Sequence, residues 1–205
     1  MTNYQKELEK ILAHLQPQGA RPRLLLHCCC APCSSYVLEY LAKYFFITVY
    51  YSNSNIDTMP EFQKRLSNQN KLCGLHGIKL IEDSYDHSAF LAAVRGLENE
   101  AEGGARCTEC FKMRLGRAVE FAAENGFEYV ATTLTVSPHK NAAVINEIGC
   151  SLADKAGIKW LPSDFKKRGG YQRSIELSHQ LDLYRQNYCG CEFAKGHLQK
   201  SLKSF

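Results

Sequence analysis

Short β-branched and aromatic runs alternate with amphipathic stretches of ten or more residues along most of this chain, and nothing else in it restricts folding as strongly. RLLLHC (23–28), FFITVYYSN (45–53) and IKLIEDSY (78–85) have the composition of buried strands. Between them, helical periodicity covers Ala31 to Tyr44 and the stretch EFQKRLSNQNKLCGLHG, which stops at Gly77. Farther on, HSAFLAAVRGLENE and CTECFKMRLGRAVEFAAENG predict helices, EYVATTLT a strand, NAAVINEIGCSLADKAG a helix and IKWLPSDF a last strand. Strands spaced by helices of this length cannot pair as hairpins. They predict an α/β fold with a mainly parallel sheet covered on both faces and its working edge at the carboxyl ends of the strands. An amphipathic helix near Tyr4 to Leu15 precedes this pattern, set off by the break QPQGARP. The segment from Lys166 to Phe205 shows helices and no clear strand, and is expected to pack on the functional edge.

With 205 residues, 45% of them hydrophobic, one compact unit with a sizeable core is expected. The opening MTNYQKELEKILAHLQ is charged throughout and lacks the apolar run of a secretory signal, and no stretch approaches the roughly 18 apolar residues of a membrane span. A cytoplasmic location is therefore expected, with no membrane partner. In that reducing compartment ten cysteines point to metal or redox chemistry rather than structural disulfides.

The cysteines fall into groups. Cys28, Cys29, Cys30 and Cys33 follow the first strand, Cys107 and Cys110 form CTEC, and Cys189 and Cys191 flank Gly190. Cys73 and Cys150 stand alone on apolar helical surfaces and read as small buried hydrophobes. Cys107 and Cys110, three apart on a helix, share a face and can offer two thiolates to one centre; the spacing suits tetrahedral zinc and a [4Fe-4S] cluster equally. Cys189 and Cys191 serve as metal ligands or close a strained, easily reduced disulfide.

The segments LHCCCAPCSSY, YSNSNI, EGGARCTECFKMRL, ATTLTVSPHKN and SDFKKRGGYQRSIELSHQLDLYRQNYCGCEFA, in this order, resemble the QueH family of cobalamin-independent epoxyqueuosine reductases. The resemblance covers nearly everything but the opening helix and the last few residues. It implies a Rossmann-like fold related to the adenine-nucleotide hydrolases, with cysteines in place of the nucleotide-binding loop. It implies a single iron–sulfur domain over 1–205, with an N-terminal helix in 1–20 and a helical extension, 166–205, packed on the site. Carried over residue by residue, it makes Cys29, Cys30, Cys107 and Cys110 ligands of a [4Fe-4S] cluster and Cys189 and Cys191 a redox-active pair. Cys33 falls at one ligand position of a second, mononuclear iron. The implied reaction reduces the epoxide of epoxyqueuosine in the tRNA anticodon to give queuosine, with electrons from a donor the sequence does not identify.

Polar segments extend this reading. Lys166, Lys167, Arg168 and Arg173 surround two glycines, a composition suited to phosphates, and Tyr171, Tyr184, Arg185 and Tyr188 are candidates to stack unpaired tRNA bases. TTLTVSPHKN places Thr132, Thr133, Ser137, His139, Lys140 and Asn141 at the functional edge, where His139 or Lys140 is a candidate for substrate anchoring or proton delivery. Asp164 is a further candidate proton donor or metal ligand, whereas His27 reads as a structural hydrogen-bonder. Two other functions compete. An ATP-using tRNA thiolase of related fold needs a glycine-rich phosphate loop after the first strand, where this chain has HCCCAPCSS. A non-enzymatic, zinc-stabilised RNA-binding module would contain zinc without iron or sulfide.

Overall fold

The computed structural model describes residues 2–15, 19 and 21–195. Its five strands are all parallel: β1 (Arg23–Cys28), β2 (Phe46–Tyr51), β3 (Lys79–Glu82), β4 (Tyr129–Thr132) and β5 (Lys159–Trp160) lie in the order β3-β2-β1-β4-β5. The chain grows outward from β1 in one direction and, after β3, crosses back to build β4 on its other side. Neighbouring crossovers therefore diverge at the carboxyl ends of β1 and β4, and a crevice opens there. β1 is the central strand, and its RLLLHC run is buried on both faces, as a covered parallel strand must be.

Side chains alternate along β1, so Leu24, Leu26 and Cys28 enter one core with α1 (Tyr4–Leu15), α2 (Ala31–Leu41) and α3 (Met59–His76). Leu25 faces the other core, built on α5 (Ala105–Glu124) and α6 (Ala142–Ala156). α1 joins the first core through Leu8, Leu12 and Leu15, a stripe at helical spacing. α3 stops at Gly77, which takes φ 61° as the left-handed cap. Cys73 is buried in the first core, and Cys150 is half-buried against the second.

Several elements are shorter than the periodicity predicts. The expected helix over 87–100 is only α4 (His87–Ala93): Gly96 takes φ 82°, and the carbonyls of Glu98 and Glu100 turn to the side chain of Arg106 instead of a helical ladder. The strand expected over 128–135 ends at Thr132, because its hydroxyl accepts from the Leu134 amide and tightens the chain into a 3-10 turn, Thr133–Val136. β5 keeps two of the eight residues expected, since Pro162 lacks a ladder donor and Ser163 N turns to Asn146 Oδ1. Beyond α7 (Gly170–Gln180), residues 181–191 cross the site as an irregular strap. The ends of the two terminal segments expected to be helical, 16–18, 20 and 196–205, lie outside the described residues.

α6 packs on β5 through a glycine. A Cβ at Gly149 would lie 2.3 Å from the Trp160 ring, whose Nε1 donates to Asn146 Oδ1 at 3.0 Å. Because Trp160 is held on both sides, Gly149→Ala should cost about 1–3 kcal/mol through overpacking. A thermal melt should show a fall of roughly 2–4 °C for each kcal/mol in a chain of this size; an unchanged melting temperature would mean that the ring has room to move.

Candidate metal and redox centre

The crevice is floored by the turn that follows β1. Cys30 occupies the N-cap of α2, with Pro32 in the first turn, so Cys29, Cys30 and Cys33 gather where unpaired backbone amides and the helix dipole favour negative charge. Their sulfurs lie within 4.8 Å of one another, and Cys29 Sγ to Cys30 Sγ is 3.8 Å. Ser34 Oγ donates to the Cys30 carbonyl at 2.8 Å, and Asn53 Nδ2 donates to the Cys28 carbonyl at 2.9 Å. The SNSNI segment after β2 thus fixes the cysteine turn from one side. Thr133, after β4, fixes it from the other, accepting from Cys29 N at 3.4 Å.

The three thiols share charge unequally. Contacts with Cys30 and Cys33 come first and, with Lys140 and Arg114 nearby, hold the Cys29 thiol well below the ordinary range against the effect of burial. The Cys30 thiol is pushed up to about 11, chiefly by that same contact with Cys29. Cys28 faces the core, where burial raises its thiol far above normal, so it stands apart from the group.

The other thiols line a narrower pocket. Cys107 and Cys110 project from the first turns of α5, and Cys189 and Cys191 from the strap, all into one cavity. Gly103 N donates to Cys107 Sγ at 3.2 Å. Burial pushes the Cys110 thiol up to about 12 and that of Cys191 up to about 11. All of these cysteines are free thiols. The tight turn between Cys189 and Cys191 depends on Gly190, whose φ of 129° is closed to L side chains.

The four residues carried over as cluster ligands are therefore divided: Cys29 and Cys30 sit with Cys33, and Cys107 and Cys110 with Cys189 and Cys191. The two groups meet at a shared wall. A wider cavity of ≈ 320 Å³ is lined by Cys29 and Cys33, and Glu102, His139, Lys140 and Cys189 belong to the linings of both. Burial disfavours the charge on Lys140, but Cys189, Cys29 and Cys33 outweigh it and raise the ammonium above its usual range. His139 is more exposed than Lys140.

Of the candidate substrate contacts, Tyr171, Arg185 and Tyr188 line the wider cavity. The four basic residues around the glycines, Lys166, Lys167, Arg168 and Arg173, are engaged elsewhere and line neither cavity. Lys166 and Lys167 pair with Asp164, Arg168 with Glu9 at 3.2 Å, and Arg173 with Glu39 at 2.8 Å. Asp164 is thereby neutralised away from the thiols, and Tyr184 bonds Glu61 at 3.2 Å under the Lys64 ammonium. His27 bonds Thr132 Oγ1 at 2.8 Å and Ser52 O at 3.2 Å; burial first, and Arg114 second, bring its pKa down to about 3, so it is a neutral structural link.

Three arginines at this site escaped the sequence reading. Arg114 is 1% exposed and bonds Ser52 O at 3.2 Å and Asn53 Oδ1. Its signal was present, because Cys107, Cys110 and Arg114 follow the i, i+3, i+7 spacing of one helical face. Arg65 pairs with Glu61 at 2.7 Å and donates to the carbonyls of Cys189 at 3.0 Å and Tyr188 at 3.5 Å, binding the strap to α3. Arg106 stands beside Cys107 in the narrower cavity.

A family model described as "Epoxyqueuosine reductase QueH" matches residues 24–197. The Epoxyqueuosine reductase QueH of Staphylococcus epidermidis is 44% identical over 200 residues, covering 94% of this chain and 84% of that one. That of Streptococcus pyogenes serotype M1 is 43% identical over 199 residues, covering 94% and 78%. Among solved structures, the U34-tRNA thiolase NcsA from Methanococcus maripaludis with its [4Fe-4S] cluster superposes with a TM-score of 0.57 at 14% identity, over 93% of this chain and 66% of that one. At that identity the likeness shows a common fold, the one expected from the strand and helix pattern. The cysteine motifs, the parallel sheet and the relatives agree, and the chain belongs to the epoxyqueuosine reductase QueH family.

Proposed function

We propose that this chain is an iron–sulfur oxidoreductase that reduces epoxyqueuosine in the tRNA anticodon to queuosine, as a single domain over 1–205 working in the cytoplasm. One observation carries the reading: two groups of free thiols meet across the wall formed by Glu102, His139, Lys140 and Cys189, at the carboxyl ends of β1 and β4. No helix among the described residues is long and apolar enough to cross a membrane.

The donor set fits an iron–sulfur cluster. Soft thiols stand on both sides of the wall, and two of the cations facing them, Arg114 and Lys140, form no ion pair with a carboxylate among the described residues. Arg114 bonds only carbonyl and amide oxygens, and the groups that hold Lys140 charged are thiols. A cluster bound by thiolates is a net anion that such cations balance. Cys29, Cys30, Cys107 and Cys110 would hold the [4Fe-4S] cluster, and Cys33 offers a ligand to a second, mononuclear iron. When bound, the cluster supplies electrons one at a time.

Converting the epoxide to an alkene and water consumes two electrons and two protons. Oxidation of the Cys189 and Cys191 thiols to a disulfide releases two of each, which balances the step; an external electron donor then restores the dithiol. Lys140 Nζ, held protonated at the wall, hands a proton to the departing oxygen. The wider cavity receives the unpaired base, with Tyr171 and Tyr188 as stacking faces and Arg65 and Arg185 as polar contacts.

Protein prepared without oxygen should contain about four iron and four sulfide atoms per chain, with more iron if the second site fills. It should convert epoxyqueuosine-tRNA under reducing conditions without ATP. Zinc in place of iron and sulfide would identify an RNA-binding module, and ATP-dependent sulfur transfer to tRNA would identify a thiolase.

A further inference from the structure

The narrower cavity holds a guanidinium that the reaction above does not use. Arg106 is 1% exposed, and its Nη1 is occupied by the carbonyls of Glu98, at 2.9 Å, and Glu100. Its Nε and Nη2 are buried and find no acceptor among the described residues. The Phe193 ring lies against the guanidinium, 4.8 Å from its centroid, and shields it from solvent. The contrast with its neighbours is informative: Arg65 and Arg114, equally buried, each have both Nε and Nη2 bonded to an oxygen.

A guanidinium keeps its proton in a protein, so burial cannot neutralise Arg106 as it would a lysine. A buried cation with two idle donors is strongly disfavoured unless an anion completes it. Asn55, Glu102, His139 and Asn141 also line this cavity, but most of its acceptors are the sulfurs of Cys107, Cys110, Cys189 and Cys191, which accept weakly as thiols and strongly as thiolates.

We propose that Arg106 is a positioning residue for the iron–sulfur cluster, its Nε–H and Nη2–H donating to the anionic sulfur gathered in this cavity and biasing the cluster toward its reduced form. Reduction adds one negative charge to the centre, so a fixed cation and N–H···S hydrogen bonds stabilise the reduced form more than the oxidised one. The inference rests on the cluster reading above.

A dye-mediated titration of the anaerobically prepared full chain, followed by EPR, tests it. Arg106→Gln should hold iron and sulfide near wild-type levels while its reduction equilibrium moves at least tenfold toward the oxidised form, a fall of about 59 mV or more for a one-electron couple. Arg106→Lys keeps the charge but not the fork, and should fall between. An unchanged midpoint in Arg106→Gln refutes the proposal, and a loss of tRNA affinity in its place assigns the guanidinium to a phosphate. Wild-type protein without iron refutes the underlying cluster reading instead, and is seen before any variant is made. Should neither variant retain iron, pulsed EPR on reduced protein containing 15N-arginine decides: absence of any 15N coupling at the cluster removes the role, and a coupling that persists in Arg114→Lys protein supports it.

Discussion

Replacing Cys107 or Cys110 with alanine is expected to abolish the broad brown absorption of anaerobically prepared protein and to bring iron and sulfide close to background. The two thiols leave α5 one turn apart on the face turned to the crevice, and no other cysteine lies on that helix to replace either. Cys110 is 8% exposed, with its thiol pushed up to about 12 by burial, so it stays protonated until a metal displaces the proton. Alanine there removes a ligand and also leaves the Arg114 and Lys140 cations facing one anion fewer. Cys150→Ala is the control: that thiol is half-buried against α6's own core, away from both cavities, and the variant should keep its colour. A cluster that survives loss of Cys107 or Cys110 would show that the ligands have been misassigned.

Cys191→Ser should separate electron flow from cluster assembly. The variant is expected to retain iron and sulfide near wild-type levels and to bind tRNA, because the four proposed ligands and the wider cavity's aromatic faces are untouched. Its reduction of epoxyqueuosine-tRNA should fall by orders of magnitude, since serine cannot close a disulfide with Cys189 and the two-electron step loses half its source. Serine suits the space, as the Cys191 sulfur is buried among Phe90, Cys110 and Ala194 in a small satellite core. Loss of the cluster in this variant would place Cys191 among the structural ligands, which the cavity it shares with Cys107 and Cys110 allows. Normal turnover would end the redox role of the pair.

The framework of this fold was legible because β1, β2 and α5 carry strong local patterns that tertiary packing only reinforces. So were the cysteine groups, since ligand spacing is a local property of a turn or a helix face. Illegible were the partnerships that depend on distance along the chain. Lys166 to Arg173 read as a basic patch, yet Arg168 pairs with Glu9 on α1 and Arg173 with Glu39 on α2, and no sequence window contains both ends of either pair. Arg65 and Arg106 were missed for a related reason: their partners include backbone carbonyls, which every residue has and no residue type announces. The 3-10 turn after β4 was lost to one hydroxyl, that of Thr132, competing locally with the strand ladder.

The way Arg65 grips the strap opens a practical route to altered base recognition. Its guanidinium bonds the carbonyls of Tyr188 and Cys189 rather than their side chains, and the Asp57 amide likewise takes the Gly190 carbonyl at 2.9 Å. These backbone contacts set much of the strap's path, while the side chains of Arg185, donating to Ser178 Oγ at 3.2 Å, and Tyr188, donating to Asp57 Oδ1 at 3.2 Å, add anchors of their own. Combinatorial libraries at Gln186 and Asn187, between those two anchors, can therefore vary the cavity's shape and polarity while the chain keeps its course, making this segment a natural starting point for selecting reductases that accept other modified nucleosides.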